Sequence, residues 1–467
     1  MKIVHRILII LAVTGGLFAG GCESAADADK APNIIFILTD DQRWDALGYA
    51  GNDIIQTPEM DRLAEGGTYF SHAFVTTPIC AASRASILTG LYERTHGYTF
   101  QQGPLKEAYM QHGYPVLLKQ HDYYTGFFGK FGVKYDSAEN LFDVAEIYDR
   151  NGNYPDRRGY YYKTINGDTV HLTRYTLHQA REFIQNAPED HPFCLSLSFS
   201  APHAHDPAPN QYFWQKTSDS LYAGQTMPPP LLREDTFFLA LPKEVREGFN
   251  RERWGWRFDT PEKYQHSVKG YYRMISEIDA GIGRIRKTLE DKKIDRNTII
   301  ILMGDNGYYL GERQLAGKWL MHDRSLRVPL IIFDPRAGDH YDIGDMVLNI
   351  DVTKTILDLA GIDIPESYQG ISLKEYVTSG RCDEKRSASL FEHLWDFDPI
   401  PSSEGIRTDR WKYFRYRFIE SPEELYDLET DPLEKENLAG RPEYKHLLDS
   451  LRNECNSYIS SYLSEQK

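Results

Sequence analysis

"NIIFILTDD", residues Asn33–Asp41, is a run of strand-forming side chains that ends on two carboxylates. It is apolar and rich in Ile, without polar alternation, so it reads as a strand buried on both faces of a parallel sheet. Its carboxyl end carries the charge. The pattern recurs in "NTIIILMGDNG" (Asn297–Gly307), while "FCLSLSFSAPHAH" (Phe193–His205) closes a third such run with two histidines. In open α/β sheets ligands gather beyond the carboxyl ends of strands, so these endings are expected to converge in space.

Helical signals alternate with the strands. Val268, Tyr271, Ile275, Ile278, Ile282, Ile285 and Leu289 recur at three- and four-residue steps, which marks a long amphipathic helix leading into the strand at Thr298. "RVPLIIFDP" reads as a further strand and "DVTKTILDLAG" as a helix capped by Gly361. The stretch from Pro207 to Phe258 has weak periodicity and reads as a surface insertion. Beyond Gly370, "SASLFEHLW", "GIRTDRWKYFRYRF" and "EELYDLETDP" suggest short antiparallel strands, and a closing helix follows. The expected organisation is a catalytic α/β domain at 33–374 and a small α+β subdomain at 375–467.

The chain has 467 residues, with 53 Lys and Arg against 68 Asp and Glu, a formal net charge of −15. An acidic surface of this kind argues against a nucleic-acid partner. Residues 1–22 read as an export signal, with Lys2 and Arg6 ahead of an apolar stretch too short to span a membrane. The ending "LFAGGC" resembles a bacterial lipobox, with Ala19 in place of the usual Leu, so Cys22 is the expected lipid attachment point and simple cleavage the alternative. Residues 23–32 then form a polar tether. The protein is expected at the periplasm or cell surface. Four other cysteines remain, Cys80, Cys194, Cys382 and Cys455, too few for a disulfide framework and without zinc-ligand spacing.

Asp40, Asp41, Asp305 and Asn306 offer hard oxygen ligands at two strand ends, a set that suits calcium or magnesium. Arg84, Lys130, His203 and Lys318 lie in similar loop settings. A divalent cation with several basic groups describes a site for a tetrahedral oxyanion such as sulfate or phosphate. Cys80 opens "CAASRASILTG", which reads as the start of a helix, with Arg84 close behind it. From the residues alone it is core filler, half a disulfide, a thiolate nucleophile or the precursor of a modified residue.

"CAASR" resembles the Cys-x-Pro/Ala-x-Arg signature of the type I sulfatases, in which the cysteine is oxidised to formylglycine. "DDQRWDALGYAG", "TPEMDRLAEGG", "GDNGYYLGERQLAGKW" and "ELYDLETDPLEKENLA" look like the same family, in the same order along nearly the whole mature chain. The resemblance implies an alkaline-phosphatase-like mixed sheet sandwiched by helices, with the smaller C-terminal α+β unit. It makes Cys80 the formylglycine precursor, and Asp40, Asp41, Asp305, Asn306 and the modified Cys80 the ligands of one divalent metal, calcium with magnesium as the alternative. Arg84, Lys130, His203 and Lys318 would hold the sulfate. An aldehyde hydrate supplies a hydroxyl that a metal can make nucleophilic, and its second hydroxyl can expel sulfate afterwards.

Two positions depart from the family pattern. Gly132 in "GKFG" stands where a histidine often contacts the formylglycine, which leaves His96 or His205 as candidates for the base that releases sulfate. Ala82 in place of Pro resembles sequences matured by anaerobic radical-type enzymes, so a sulfatase-maturing enzyme is an expected partner. His322, Asp323, Arg324 and His393 are further candidates for gripping a sugar. The function expected is hydrolysis of sulfate esters on a sulfated carbohydrate. Phosphodiester or phosphonate ester hydrolysis on the same scaffold, and non-catalytic binding of sulfated glycans at the surface, are the alternatives.

Overall fold

The computed structural model describes residues 30–464, apart from 101, 152–158 and 207. The expected export signal and nearly all of the tether lie outside the described residues. From Ala31 onward the chain forms one compact unit.

Its centre is an eight-stranded mixed sheet built from β1 (Asn33–Thr39), β2 (Thr68–Phe70), β3 (Tyr124–Gly129), β4 (Val144–Ile147), β5 (Phe193–Ser198), β6 (Thr298–Gly304), β7 (Leu330–Phe333) and β8 (Tyr341–Ile343). The spatial order is β8-β2-β7-β6-β1-β5-β3-β4. β6, β1, β5, β3 and β4 run parallel, and β7 lies antiparallel between β6 and β2. Every residue of β6 is buried, as is every residue of β1 after Asn33, which is why these runs lack polar alternation.

Register sets the site. Thr39 pairs with Gly304, and Ser198 with both Leu38 and Gly129, so the central strands end at nearly one level. The residues that follow are tied across strands by backbone hydrogen bonds: Asp305 N donates to Thr39 O at 2.9 Å and Lys130 N to Ser198 O at 2.8 Å. Gly129 has φ +112°, and a Cβ there would lie 2.0 Å from Ser198 O. Only glycine lets β3 turn its next residue into the cluster.

Six helices matter for the packing: α1 (Cys80–Thr89), α2 (Leu172–Asn186), α3 (Phe249–Arg257), α4 (Pro261–Lys292), α5 (Asn349–Leu359) and α6 (Lys445–Ser464). All ten residues of α1 are buried. Its small side chains let α5 approach closely, with Asn349 Nδ2 donating to Ser83 Oγ at 3.0 Å and Thr353 Oγ1 to Ile87 O. α4 starts at Thr260, whose hydroxyl accepts from Lys263 N, followed by Pro261 in the first turn. The apolar stripe read from the sequence is the buried face of α4. Each such side chain contributes about 1.5–3 kcal/mol by leaving water.

A four-stranded antiparallel sheet, β9 (Ala388–His393), β10 (Ser403–Thr408), β11 (Trp411–Tyr416) and β12 (Glu424–Asp427), accounts for the C-terminal motifs. The expected surface insertion at 207–258 is more than a surface loop: α3 lies within it, and Arg253 and Arg257 on that helix are buried. Among the described residues no helix is long and apolar enough to cross a membrane.

Candidate active site

Asp40 and Asp41 follow β1, Asp305 and Asn306 follow β6, Lys130 follows β3, and His203 lies just beyond β5. Four adjacent strands therefore deliver their endings to one place, and Cys80 joins them from the first position of α1. A carboxylate oxygen of Asp40, one of Asp305 and the Cys80 sulfur lie within 4.8 Å of one another. The same span relates Asp40, Asp41 and a ring nitrogen of His203. Cys80 is 6 % exposed.

The carboxylates are held by the backbone and by the basic groups. Asp41 N donates to Asp305 Oδ1 at 3.0 Å, and Asn306 Nδ2 donates to Asp41 Oδ1 at 2.7 Å. Asp41 has φ 68°, the left-handed region that costs a non-glycine residue about 1 kcal/mol and that Asp tolerates better than most. Behind it, the Tyr271 hydroxyl on α4 donates to Asp41 O at 2.7 Å and accepts from Arg43 N at 2.9 Å. Arg84 Nε donates to Asp305 Oδ2 at 2.8 Å, and its Nη1 donates to Lys130 O and Ser198 Oγ. Lys130 Nζ contacts Asp40 Oδ2 at 2.5 Å, and Lys318 Nζ pairs with Asp41 Oδ1.

Three buried oxygens in this cluster have no hydrogen-bond partner: Asp40 Oδ1, Asp41 Oδ2 and Asn306 Oδ1. Buried acceptors left unpaired cost stability, and a hard divalent cation is the group that satisfies several at once. Asp305 adds lone pairs beyond the two donors it already meets. Burial, together with the charge of Asp40, pushes the Asp305 carboxyl up to about 6. Burial acts on Asp40 in the same direction, but Lys130 and Lys318 outweigh it and hold that carboxyl below its usual range. The residues present fit a hard divalent cation.

His203 Nε2 lies 3.5 Å from Asp41 Oδ2, and its Nδ1 lies 2.5 Å from Ala204 O. Arg150 Nη1 donates to both Nδ1 and Ala204 O, so Nδ1 accepts and the imidazole proton stands on Nε2, facing the cluster. Burial first, then Arg150, Lys318 and Lys130, hold the imidazole well below its ordinary pKa.

The other candidates lie elsewhere. His96 is pinned beneath α1, with Nε2 at 3.1 Å from Ser86 Oγ and Nδ1 accepting from Tyr98 N. His205 packs edge-on against Phe213. His322 sits against Phe414 and Tyr426 of the C-terminal sheet, 3.6 Å from Glu424. Asp323 pairs with Lys412 and Arg407, Arg324 with Asp45 at 2.6 Å, and His393 is buried in β9. These residues join the small sheet and the loops to the main body. None of them is among the groups that meet within 4.8 Å at Asp40.

Sequence reading missed a second group. Asp149 and Arg150 follow edge strand β4, with Asp149 at 3.7 Å from Lys130 and Arg150 bonded to His203 and Ala204. Arg253 and Arg257 both pair with Asp206, and Asn250 Nδ2 donates to Lys318 O at 2.9 Å. The four-residue spacing of the two arginines was the available signal, since it puts both on one helix face.

Gly132 has φ +72°, and a Cβ there would meet Arg84 Cδ at 2.7 Å. Gly132→His should therefore lower kcat/KM by roughly tenfold or more and lower Tm, because the side chain must displace Arg84 and strain the backbone. Steady-state kinetics and thermal melting check this; a gain in turnover would show that the loop can accept a histidine.

A mixed sheet whose central strands end in this cluster, with a small antiparallel sheet beside it, defines an alkaline-phosphatase-like hydrolase. A solved structure described as bound to its substrate D-glucosamine-2-N,6-O-disulfate superposes with TM-score 0.78 at 25 % identity, covering 93 % of this chain and 98 % of that one. The phosphonate monoester hydrolase from Silicibacter pomeroyi shares the fold, with TM-score 0.75 at 21 % identity, covering 93 % and 96 %. The chain belongs to the sulfatase family, whose profile matches residues 32–362; the N-sulphoglucosamine sulphohydrolase C-terminal profile matches 311–461. Curated relatives include an arylsulfatase of Clostridium perfringens, 29 % identical over 90 % of this chain and 93 % of its own length. An N-acetylglucosamine-6-O-sulfatase of Bacteroides thetaiotaomicron is 28 % identical over 89 % and 84 %, and an ulvan-active sulfatase of Formosa agariphila 26 % over 94 % and 82 %. The protein is a sulfuric ester hydrolase.

Proposed function

We propose that this sulfatase is exported and hydrolyses a sulfate ester on a carbohydrate, using formylglycine made from Cys80 and one divalent cation, calcium. The observation that carries the reading is the meeting of Cys80 with Asp40 and Asp305 beside three unpartnered oxygens. The carbohydrate is supported by two relatives that are named for sulfated sugars. Export rests on the leader and its "LFAGGC" ending, with Cys22 as lipid anchor, and Cys80 requires a maturing enzyme.

Asp40, Asp41, Asp305 and Asn306 would hold the cation. When bound, the cation and the modified residue supply Lewis acidity and a hydroxyl nucleophile. Arg84 fixes Asp305 and brings a guanidinium to the start of α1, where the helix dipole also favours negative charge. Lys130 and Lys318 set two ammonium groups at the edge of the carboxylates, where sulfate oxygens need donors. His203 turns Nε2 toward the same point and would give a proton to the departing sugar oxygen. Burial of Cys80, Arg84 and Lys318 keeps bulk water from these groups.

Peptide mass spectrometry of active protein should show an aldehyde at residue 80, and elemental analysis one bound calcium that Asp305→Ala loses together with turnover. A sulfated-oligosaccharide panel should yield desulfated products. An intact thiol at Cys80 in a fully active preparation would overturn the reading.

A further inference from the structure

The loop between β9 and β10 carries Trp395, Asp396, Phe397 and Asp398. The rings of Trp395 and Phe397 are stacked, with centroids 4.5 Å apart and planes 2° from parallel. Trp395 in turn lies 4.9 Å from Phe100 and packs against a cluster of Ile79, Ala82, Trp319 and Ile400. Ile79 and Ala82 flank Cys80, and Trp319 follows Lys318. Trp395 therefore rests on a cluster whose members adjoin Cys80 and Lys318 in the chain.

Phe397 is 39 % exposed. The turn below it is closed by Ile400 N donating to Phe397 O at 2.7 Å, and is fastened to α3 by Phe249 N donating to Pro399 O at 2.9 Å. A rigid aromatic ring left at the surface forgoes burial, yet gives up little conformational freedom when it binds. Asp396 and Asp398, both exposed, flank it in sequence. An aromatic face bordered by acceptors suits a sugar, which offers a C–H face to the ring and hydroxyl donors to the carboxylates. The two carboxylates disfavour a second anionic group at this point.

We infer that the Phe397 ring, stacked on Trp395, is a binding platform for an uncharged sugar residue adjoining the one that bears the scissile sulfate. The inference rests on the carbohydrate reading above and extends it to a second sugar.

The test compares wild type, Phe397→Ala and Phe397→Trp on a sulfated trisaccharide with neutral neighbouring residues and on the monosaccharide carrying the same ester. Phe397→Ala should raise KM for the trisaccharide roughly 3- to 10-fold, more than for the monosaccharide, and Phe397→Trp should hold it near wild type. Equal effects on both substrates, or an unchanged trisaccharide KM, would overturn the platform and leave the carbohydrate reading standing. Wild type that splits nitrophenyl sulfate but desulfates no sugar would overturn both. A dimer that dissociates in Phe397→Ala would reassign the ring to a second copy of the chain.

Discussion

Cys80→Ala protein should lose sulfate-ester turnover by at least roughly 10⁴-fold, the scale on which removal of a nucleophile acts, while still binding a sulfated sugar. The groups that would hold the anion do not depend on the residue 80 side chain. Arg84 is fixed by Asp305, Lys130 by Asp40 and Lys318 by Asp41. Alanine suits a position followed by Ala81 and Ala82 at the start of a tightly packed helix, so the fold should survive. Single-turnover kinetics beside calorimetric titration with the sulfated sugar separates the two roles. Turnover within tenfold of wild type would remove residue 80 from the chemistry, and binding without turnover in both proteins would favour the glycan-binding alternative.

His203→Ala should discriminate between leaving groups. A sugar alkoxide departs poorly without a proton, whereas nitrophenolate departs well, so general acid help is worth roughly 10²- to 10⁴-fold for the sugar and little for the aryl ester. The geometry suits this role, because Nδ1 accepts from Arg150 and the proton is thereby kept on the inward-facing Nε2. Activity on a glycan sulfate should therefore fall far more than activity on nitrophenyl sulfate, at constant metal content and Tm. Equal losses would mark His203 as a sulfate ligand alone, and no loss on either would exclude it from the site.

The strands that carry the site were legible because their chemistry is uneven. Long apolar runs such as Asn33–Thr39 and Thr298–Gly304 can only be buried, so Asp40, Asp41, Asp305 and Asn306 at their ends had to stand at the sheet's carboxyl edge. His203 was reached by the same logic, and Lys130 through its loop setting and the family resemblance. Asp149 and Arg150 obey it too, but β4 is a short edge strand of mixed polarity and gave no such signal. Arg253 and Arg257 come from a stretch with little periodicity and reach the site by long side chains. His96, His322 and His393, chosen by residue type, are buried, and their burial depends on tertiary contacts that the local sequence does not encode.

Tyr271 ties the carboxylate cluster proposed to hold a cation to α4. Its hydroxyl bridges Asp41 O and Arg43 N, so the unusual backbone turn that aims Asp41 is braced from the middle of a 32-residue rod. The proposed seat for the cation would then be held by the fold before any ion arrives, and its affinity would be adjustable from α4, by residues that never touch the ion.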